Sequence, residues 1–434
     1  LTLTDQQLGD RQHPGSASQV EAGTGVLQSR LLQIPLAEFG EKYWATKALL
    51  TRARDATTPG PAGFHDLFSA AAVDELVSRR GLRAPFLRVA KNGATLPDTA
   101  FTRPAGVGAS IADQLDDTAL WRHFADGATL VLQALHRTWQ PVADFSSALA
   151  EDLGHPVQAN AYITPPQNRG FDDHYDVHDV FVMQIEGSKR WIIHEPVHRD
   201  PLRDQPWSDR ADEVARAAET EPAIDTVLEP GDVLYLPRGW LHAAQAQGEV
   251  SIHLTLGIHV WTRYALAEQL LQDALSALRD DPEMRSTLPL GFDPATTDLG
   301  PIRDRLVAAL GTADPAAAVQ RTRRGQARPG PLGPLAQLAA TNALTPDAQL
   351  RLRPALDAGL DGNRLRSRVG WLDFPEPDLA AVRTLLNRTT ATAGELGLPL
   401  AERLLRAGVL VPAGATPAQT DSAPDAGRPA AAPA

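Results

Sequence analysis

The stretch HYDVHDVFVMQIEGSKRWIIHEP, from His174 to Pro196, constrains the fold more than any other part of the chain. It opens with His174 and Asp176. In an extended strand residues i and i+2 project from the same face, so both side chains can reach one ion. Downstream, EPGDVLYLPRGWLHAA (Glu229 to Ala244) carries His242 past a tight turn and a short apolar strand. Two imidazoles and one carboxylate on one face of a metal leave its other positions open, which is the facial ligand set of non-haem Fe(II) centres. Asp176 and His242 are 242 − 176 = 66 residues apart, enough for several antiparallel strands to bring them together.

Composition bounds the remainder. A chain of 434 residues is too long for one compact core, so two or three domains are expected. Its 43% hydrophobic and 22% charged residues are those of an ordinary soluble protein. A net charge of −12 disfavours non-specific binding to nucleic acid or an anionic membrane and would suit a basic partner. The absence of cysteine excludes disulfides, cysteine-ligated zinc and iron–sulfur clusters. No apolar run approaches the ~18 residues of a membrane span. The opening residues lack the basic-then-apolar order of a signal peptide, so a cytoplasmic location is expected.

In chain order, residues 1–24 are rich in Gln, Gly and Ser and are expected to be disordered. A first domain is expected over 25–261. It begins with a short strand, a helix and a second strand across Leu32–Arg52, followed by a loop at Gly60–Gly63 and a helix over Phe64–Arg80. A strand at Phe86–Val89, a buried strand within Trp121–His136 and a helix over Asp144–Leu153 come next. From Val157 the chain alternates, with Asn160, Tyr162 and Thr164 on one face. Short strands then recur between turn signals, the pattern of a sandwich or barrel: Phe181–Glu186, Arg190–His194, Asp225–Leu228, Val233–Leu236 and Ser251–Val260. In the last of these Ile252, Leu254, Leu256 and Ile258 face one way, and Ser251, His253, Thr255 and Gly257 the other.

Residues 262–334 turn helical at Tyr264–Arg279, Met284–Leu288 and Ile302–Leu310, then read as a Gly/Pro-rich linker with the basic run Arg321–Arg328. Residues 335–412 form a last module whose end reads as a helix-turn-helix followed by a strand, a winged-helix pattern. With 9 basic and 8 acidic residues between Leu335 and Leu410, it lacks the electrostatic footprint of a DNA-binding surface. The tail, 413–434, is Pro/Ala-rich and expected to be disordered.

Four blocks in order, NAYITPPQNRGF, HYDVHDVFVMQIEGSKRW, PGDVLYLPRGWLH and SIHLTLG, resemble the Jumonji-C/cupin ribosomal oxygenases. The resemblance spans roughly Leu32 to Ile258, and the order of the later segments matches that family's layout. It implies an α+β chain: a double-stranded β-helix (jelly-roll, cupin) oxygenase domain, a helical dimerisation region and a winged-helix-like module. It also implies Fe(II) held by His174, Asp176 and His242, with 2-oxoglutarate as co-substrate and O2 as oxidant. Lys189 stands where the family places the cation for the distal carboxylate of 2-oxoglutarate. The chain has four lysines against 37 arginines, so a lysine here carries information. Tyr162 matches a second 2-oxoglutarate anchor, and Asn160 shares its strand face. The implied reaction hydroxylates a histidine or arginine side chain of a basic ribosomal protein, by a homodimer that does not span a membrane; a demethylase outcome needs an N-methyl target carbon.

Neighbouring residues have plainer readings. Asp179, three positions beyond Asp176, faces the other way and is structural. His178 reads as a cleft or surface residue, where an aromatic side chain would be expected. His253 is a satisfied core histidine or a substrate contact. Arg190 belongs to the surface, His194 and His198 to loops, and Arg238 and Trp240 to the turn that presents His242. Gly257 stands where relatives carry a small hydroxyl residue. Two other classes of function remain open: an oxygenase that tailors a small molecule or peptide, and a non-catalytic cupin joined to a winged-helix regulator. The open coordination face and Lys189 argue against the second.

Overall fold

The computed structural model describes residues 25–413, apart from 56–61, 92, 109, 167, 169 and 170. The segments 1–24 and 414–434, and Gly60 and Pro61 of the expected loop, lie outside the described residues. The chain divides into two compact units between Val260 and Trp261.

The first unit runs α1 (Leu36–Lys42), β1 (Leu49–Thr51), α2 (Ala70–Arg79), β2 (Leu87–Lys91), β3 (Ala94–Thr95), α3 (Asp117–Ala125), β4 (Thr129–Leu132), α4 (Gln140–Leu153) and β5 (Val157–Thr164). It continues through β6 (Asp179–Glu186), β7 (Lys189–His194), α5 (Ala211–Ala218), β8 (Ile224–Leu228), β9 (Val233–Leu236), β10 (Leu241–Ala246) and β11 (Ser251–Ile258). Eight strands form one antiparallel sheet in the order β1-β9-β6-β11-β5-β4-β2-β3, and three form a second in the order β8-β7-β10. Each link β6–β7, β8–β9 and β10–β11 therefore passes from one sheet to the other, the jelly-roll of a cupin.

Burial on both faces explains the near-continuous apolar run of β6. Phe181, Met183 and Ile185 enter the core beneath the helices with Phe39, Phe68, Leu76 and Leu149. Val180 and Val182 turn into the space between the sheets with Trp191, Ile193 and Leu236. Each such side chain contributes roughly 1.5–3 kcal/mol by leaving water. The β6–β7 crossing requires a glycine: Gly187 has φ 61°, and a Cβ there would lie 2.1 Å from the Val250 carbonyl oxygen. At the β8–β9 crossing the buried Asp232 carboxylate accepts from the backbone N–H of Ala53 (2.9 Å) and Glu229 (3.0 Å) and from the Arg52 guanidinium (2.7 Å).

Asp179, fully buried at the start of β6, accepts from the Tyr235 hydroxyl at 2.5 Å and the Arg238 backbone N–H at 3.0 Å. The Arg238 guanidinium lies 3.7 Å away and is itself largely buried. Burial pushes the Asp179 carboxyl up, against these three partners. Asp179→Ala should cost ~1–3 kcal/mol, because it leaves two buried donors without their acceptor, while the Arg238 guanidinium keeps Asp200 at 3.3 Å. Urea unfolding checks this; a loss within 1 kcal/mol of zero, on the order of an exposed pair, would contradict the assignment.

Several sequence expectations are corrected. The short strand expected at the start of Leu32–Arg52 does not form: a π-helical turn, Leu27–Leu31, precedes it and residues 32–35 carry no strand. The helix expected from Phe64 starts at Ala70, where the Ser69 hydroxyl accepts from the Ala72 N–H at 3.3 Å. His194 is not a loop residue but the buried last residue of β7.

The second unit contains α6 (Arg263–Leu278), α7 (Gly300–Thr312), α8 (Pro315–Gln326) and α9 (Pro334–Asn342). The helix expected at Met284–Leu288 is absent: the chain turns there, with the Asp281 carboxylate accepting from the N–H of Glu283 (2.8 Å) and Met284 (3.4 Å). Most of the expected linker Arg321–Arg328 instead lies in α8. Asp314 caps that helix by accepting from the N–H of Ala316 (2.9 Å) and Ala317 (3.3 Å), and Pro315 stands in its first turn.

Beyond α9 come β12 (Gln349–Leu352), β13 (Gly359–Asp361), β14 (Arg364–Ser367), β15 (Gly370–Asp373), α10 (Glu376–Arg388), β16 (Thr390–Thr392), α11 (Ala393–Leu396), α12 (Leu398–Arg406) and β17 (Leu410–Pro412). Strands β16-β12-β17 and β13-β14-β15 form two small antiparallel sheets. Leu350, Phe374, Leu379, Val382, Leu385, Leu404 and Leu410 make their common core. Among the described residues no helix is long and apolar enough to cross a membrane.

Candidate active site

His174 and Asp176 lie on the extended segment that leads into β6, and His242 is the second residue of β10. Their ligand atoms all fall within 4.8 Å of one another, and Asp176 Oδ2 is 3.9 Å from His242 Nε2. The two histidines are joined through their backbones. The His242 N–H donates to the His174 carbonyl at 2.8 Å, and the His174 N–H returns a bond at 3.3 Å. His174 Nδ1 donates to the Asp172 carbonyl (2.7 Å) and His242 Nδ1 to the Trp240 carbonyl (3.1 Å). Each ring is thereby fixed with its Nε2 lone pair free for an ion, the usual outer support of a metal-bound imidazole.

Charge favours the same state. Burial, assisted by His174, pushes His242 down to about 4, which keeps it neutral and able to ligate. Burial pushes the Asp176 carboxyl up, yet His178, His242, His174 and Arg88 together hold it below its ordinary value. The donor set of two neutral imidazoles and one carboxylate suits Fe(II) and leaves positions free for other ligands.

Lys189, the first residue of β7, lines the same cavity as the three ligands and is only 3% exposed. Its Nζ donates to the Thr164 hydroxyl at 3.0 Å, and that oxygen also accepts from Thr129 at 3.2 Å. Among the described residues no carboxylate forms an ion pair with it. Burial alone pushes its pKa down to about 7. A buried cation without a counter-charge beside an open metal face fits a ligand that carries a second carboxylate.

Tyr162 lines the cavity from β5. Its ring stacks on that of its cross-strand partner His253, with centroids 4.9 Å apart and planes 2° apart. Burial and the Asp176 charge push its phenol up to about 12, so the hydroxyl stays protonated and can donate. Asn160 is not among the residues lining the cavity, and its side-chain oxygen accepts from the Ala134 N–H at 3.0 Å. Ala134 has φ 56°, so the amide supports a left-handed turn. Arg190 faces outward and pairs with Asp225 through bonds of 2.8 and 2.6 Å. His253 lines the cavity too, with Nδ1 buried and unpartnered, so it is not a satisfied core histidine.

Sequence reading missed three contributors. Arg88 on β2 lies over the Phe171 ring, 6.0 Å from its centroid, and its charge reaches both Asp176 and Tyr162. Phe171 lines the cavity. Trp207, 37% exposed, sits with its ring 6.4 Å from that of His174. Arg88 and Trp207 belong to none of the four blocks and are brought in by pairing or packing across many residues, whereas Phe171 closes the first block, three residues before His174.

Fold and site together define a JmjC-type jelly-roll with a facial metal-ligand set, and residues 133–266 match the JmjC domain. The chain is similar to proteins named as ribosomal oxygenases. It is 31% identical to human ribosomal oxygenase 1 over 60% of its own length and 38% of the relative's. It is 29% identical to the bifunctional lysine-specific demethylase and histidyl-hydroxylase NO66 of Drosophila grimshawi, over 64% of its own length and 37% of the relative's. The chain thus spans less than two fifths of these relatives. The fold is shared with the Escherichia coli ribosomal oxygenase YcfD solved with cobalt and 2-oxoglutarate: TM-score 0.52, 17% identity, covering 89% of this chain and 99% of that one.

Proposed function

We propose that this protein is an Fe(II)- and 2-oxoglutarate-dependent hydroxylase acting on a histidine or arginine side chain of a basic ribosomal protein in the cytoplasm. The observation that carries this reading is the convergence of His174, Asp176 and His242 beside the buried, uncompensated Lys189. Bound there, Fe(II) with 2-oxoglutarate and O2 would insert one oxygen atom into a C–H bond while the co-substrate leaves as succinate and CO2. The chain's own part is to hold and orient. The three ligands would fix the ion, Lys189 would take the distal carboxylate by a charge-assisted bond, and the protonated Tyr162 hydroxyl would donate to the same molecule. The apolar walls Val180, Val182 and Trp191 limit water.

The names of the relatives, ribosomal oxygenase and histidyl-hydroxylase, favour a ribosomal substrate and a histidine target. A net charge of −12 suits a basic partner. The test is mass spectrometry of ribosomal proteins from cells with and without the gene. One protein should lose the mass of a single oxygen atom on deletion; an unchanged ribosomal set would redirect the search to peptides and small molecules.

The protein is further proposed to be a homodimer paired through α6 and α7. Those helices expose Leu271, Leu275, Ile302, Val307 and Leu310, an apolar surface that a second copy would cover in a closed two-fold assembly. Light scattering should give a mass near twice 46.6 kDa; a constant single-chain mass on dilution and concentration would count against pairing.

A further inference from the structure

Beside the metal ligands lies a small polar cluster that the mechanism does not use. His178 is the second residue after Asp176 and its imidazole is largely buried. Its Nε2 is 3.2 Å from the side-chain nitrogen of Gln158, on β5. An amide nitrogen can only donate, so His178 Nε2 must accept, and the single proton of the neutral ring sits on Nδ1. That Nδ1 has no hydrogen-bond partner, is buried, and lies 4.0 Å from Asp176 Oδ2. The His259 ring closes another side at 5.5 Å and 72°.

Gly257 on β11 makes this arrangement possible. A Cβ at that position would come within 3.0 Å of both His178 Nε2 and Gln158 Nε2. Its backbone is ordinary extended strand, so glycine is not needed for conformational reasons. What it supplies is room for the imidazole and the amide to meet. Three residues from three strands or their approaches are thus matched: Gln158 sets the tautomer, Gly257 admits the pair, and the one N–H of His178 is left unpartnered 4.0 Å from the carboxylate.

We propose that His178 is a positioning residue for the ligand Asp176, with Gln158 and Gly257 as its supports. This rests on the metal reading above. A two-imidazole, one-carboxylate set keeps its other positions open only while the carboxylate binds through one oxygen. At 4.0 Å the Nδ1–H of His178 does not bond Oδ2 as it stands, but a small turn of the Asp176 carboxylate brings the two into reach, and that bond would oppose the bidentate mode. Outer partners of this kind are worth roughly 10–100-fold in metal affinity.

The test is Co(II) titration of the metal-free full-length protein, followed by calorimetry and by the visible absorption of the bound ion. His178→Phe fills the ring's space but cannot donate; it should weaken Co(II) binding by roughly 10–100-fold and change the absorption band shape. Gly257→Ala, which adds one methyl group, should move both in the same direction. His178→Asn, which retains an N–H donor, should recover part of the affinity. Thermal melts of the metal-free variants establish folding, and if His178→Phe fails to fold, Gly257→Ala and His178→Asn decide the matter. Unchanged affinity and spectrum in folded variants overturn the positioning role and leave the metal centre standing. An unsubstituted protein that binds no Co(II) overturns both.

Discussion

Replacing Asp176 or either histidine ligand with alanine should abolish 2-oxoglutarate turnover while leaving the fold intact. The loss should exceed the roughly 10–100-fold that an outer partner of a metal site is worth, because a donor atom itself is removed. Stability should change little. Asp176 and His174 are half-buried and line the open cavity, so their truncation enlarges that cavity rather than opening a new one in the core. His242 is more buried, at 8% exposure, but its imidazole faces the polar cavity. Metal binding, far-ultraviolet circular dichroism and succinate production, measured on the same samples, separate the alternatives. Turnover retained by any of the three variants would remove that residue from the centre.

The second large effect concerns Lys189. Lys189→Met keeps the apolar stem and removes the charge, so a ligand carboxylate would lose its charge-assisted partner. The expected cost is ~1.5–3 kcal/mol, or roughly a 10- to 150-fold rise in the 2-oxoglutarate requirement. A pH signature goes with it. Burial pushes Lys189 down to about 7, against about 10.4 for an ordinary lysine. Between those values the unfolded chain holds a proton that the native chain lacks, so the contribution of this group to stability rises with pH across that window. A bound carboxylate favours the charged form and raises the pKa again. Binding at pH 8 should therefore take up a proton, and affinity should fall as pH rises above about 7. Calorimetry in two buffers of different ionisation heat measures the proton directly. A Lys189→Met protein with the same affinity and the same proton uptake would place the anchor elsewhere.

What the sequence made legible was whatever short-range spacing encodes. His174 and Asp176 at i and i+2, and the alternation of Ser251–Ile258, follow from strand geometry, and both appear in the structure on the faces expected. The β6–β7 turn was visible as Gly-Ser, but not that it passes between two sheets, because which strands pair is a long-range matter. Arg88 reaches the cavity for the same reason, through the pairing of β2, without any local signal. Asn160 shares a face of β5 with Tyr162, as alternation predicts, but alternation does not show that its oxygen is taken by the Ala134 backbone. Helix α8 was misread because its arginines and glycine resemble a linker, although Asp314-Pro315 is a good helix start. At Met284–Leu288 two apolar residues suggested a helix, but the Asp281 side chain offers the backbone a turn instead.

The paired backbone bonds between His174 and His242 bear on how the protein handles its ion over time. Both imidazoles are stitched into one β-bridge formed by the chain alone, so the cavity keeps its shape between one ion and the next. Zinc-finger-like modules collapse when stripped, because their ligands meet only around the metal. Here two of the three ligand residues are joined by backbone bonds that involve no ion. Loss of iron by oxidation or chelation would leave a folded, reloadable apoprotein, and reactivation would run at the pace of diffusion and desolvation of the incoming ion. Such a site can follow the supply of its ion up and down without passing through the unfolded ensemble.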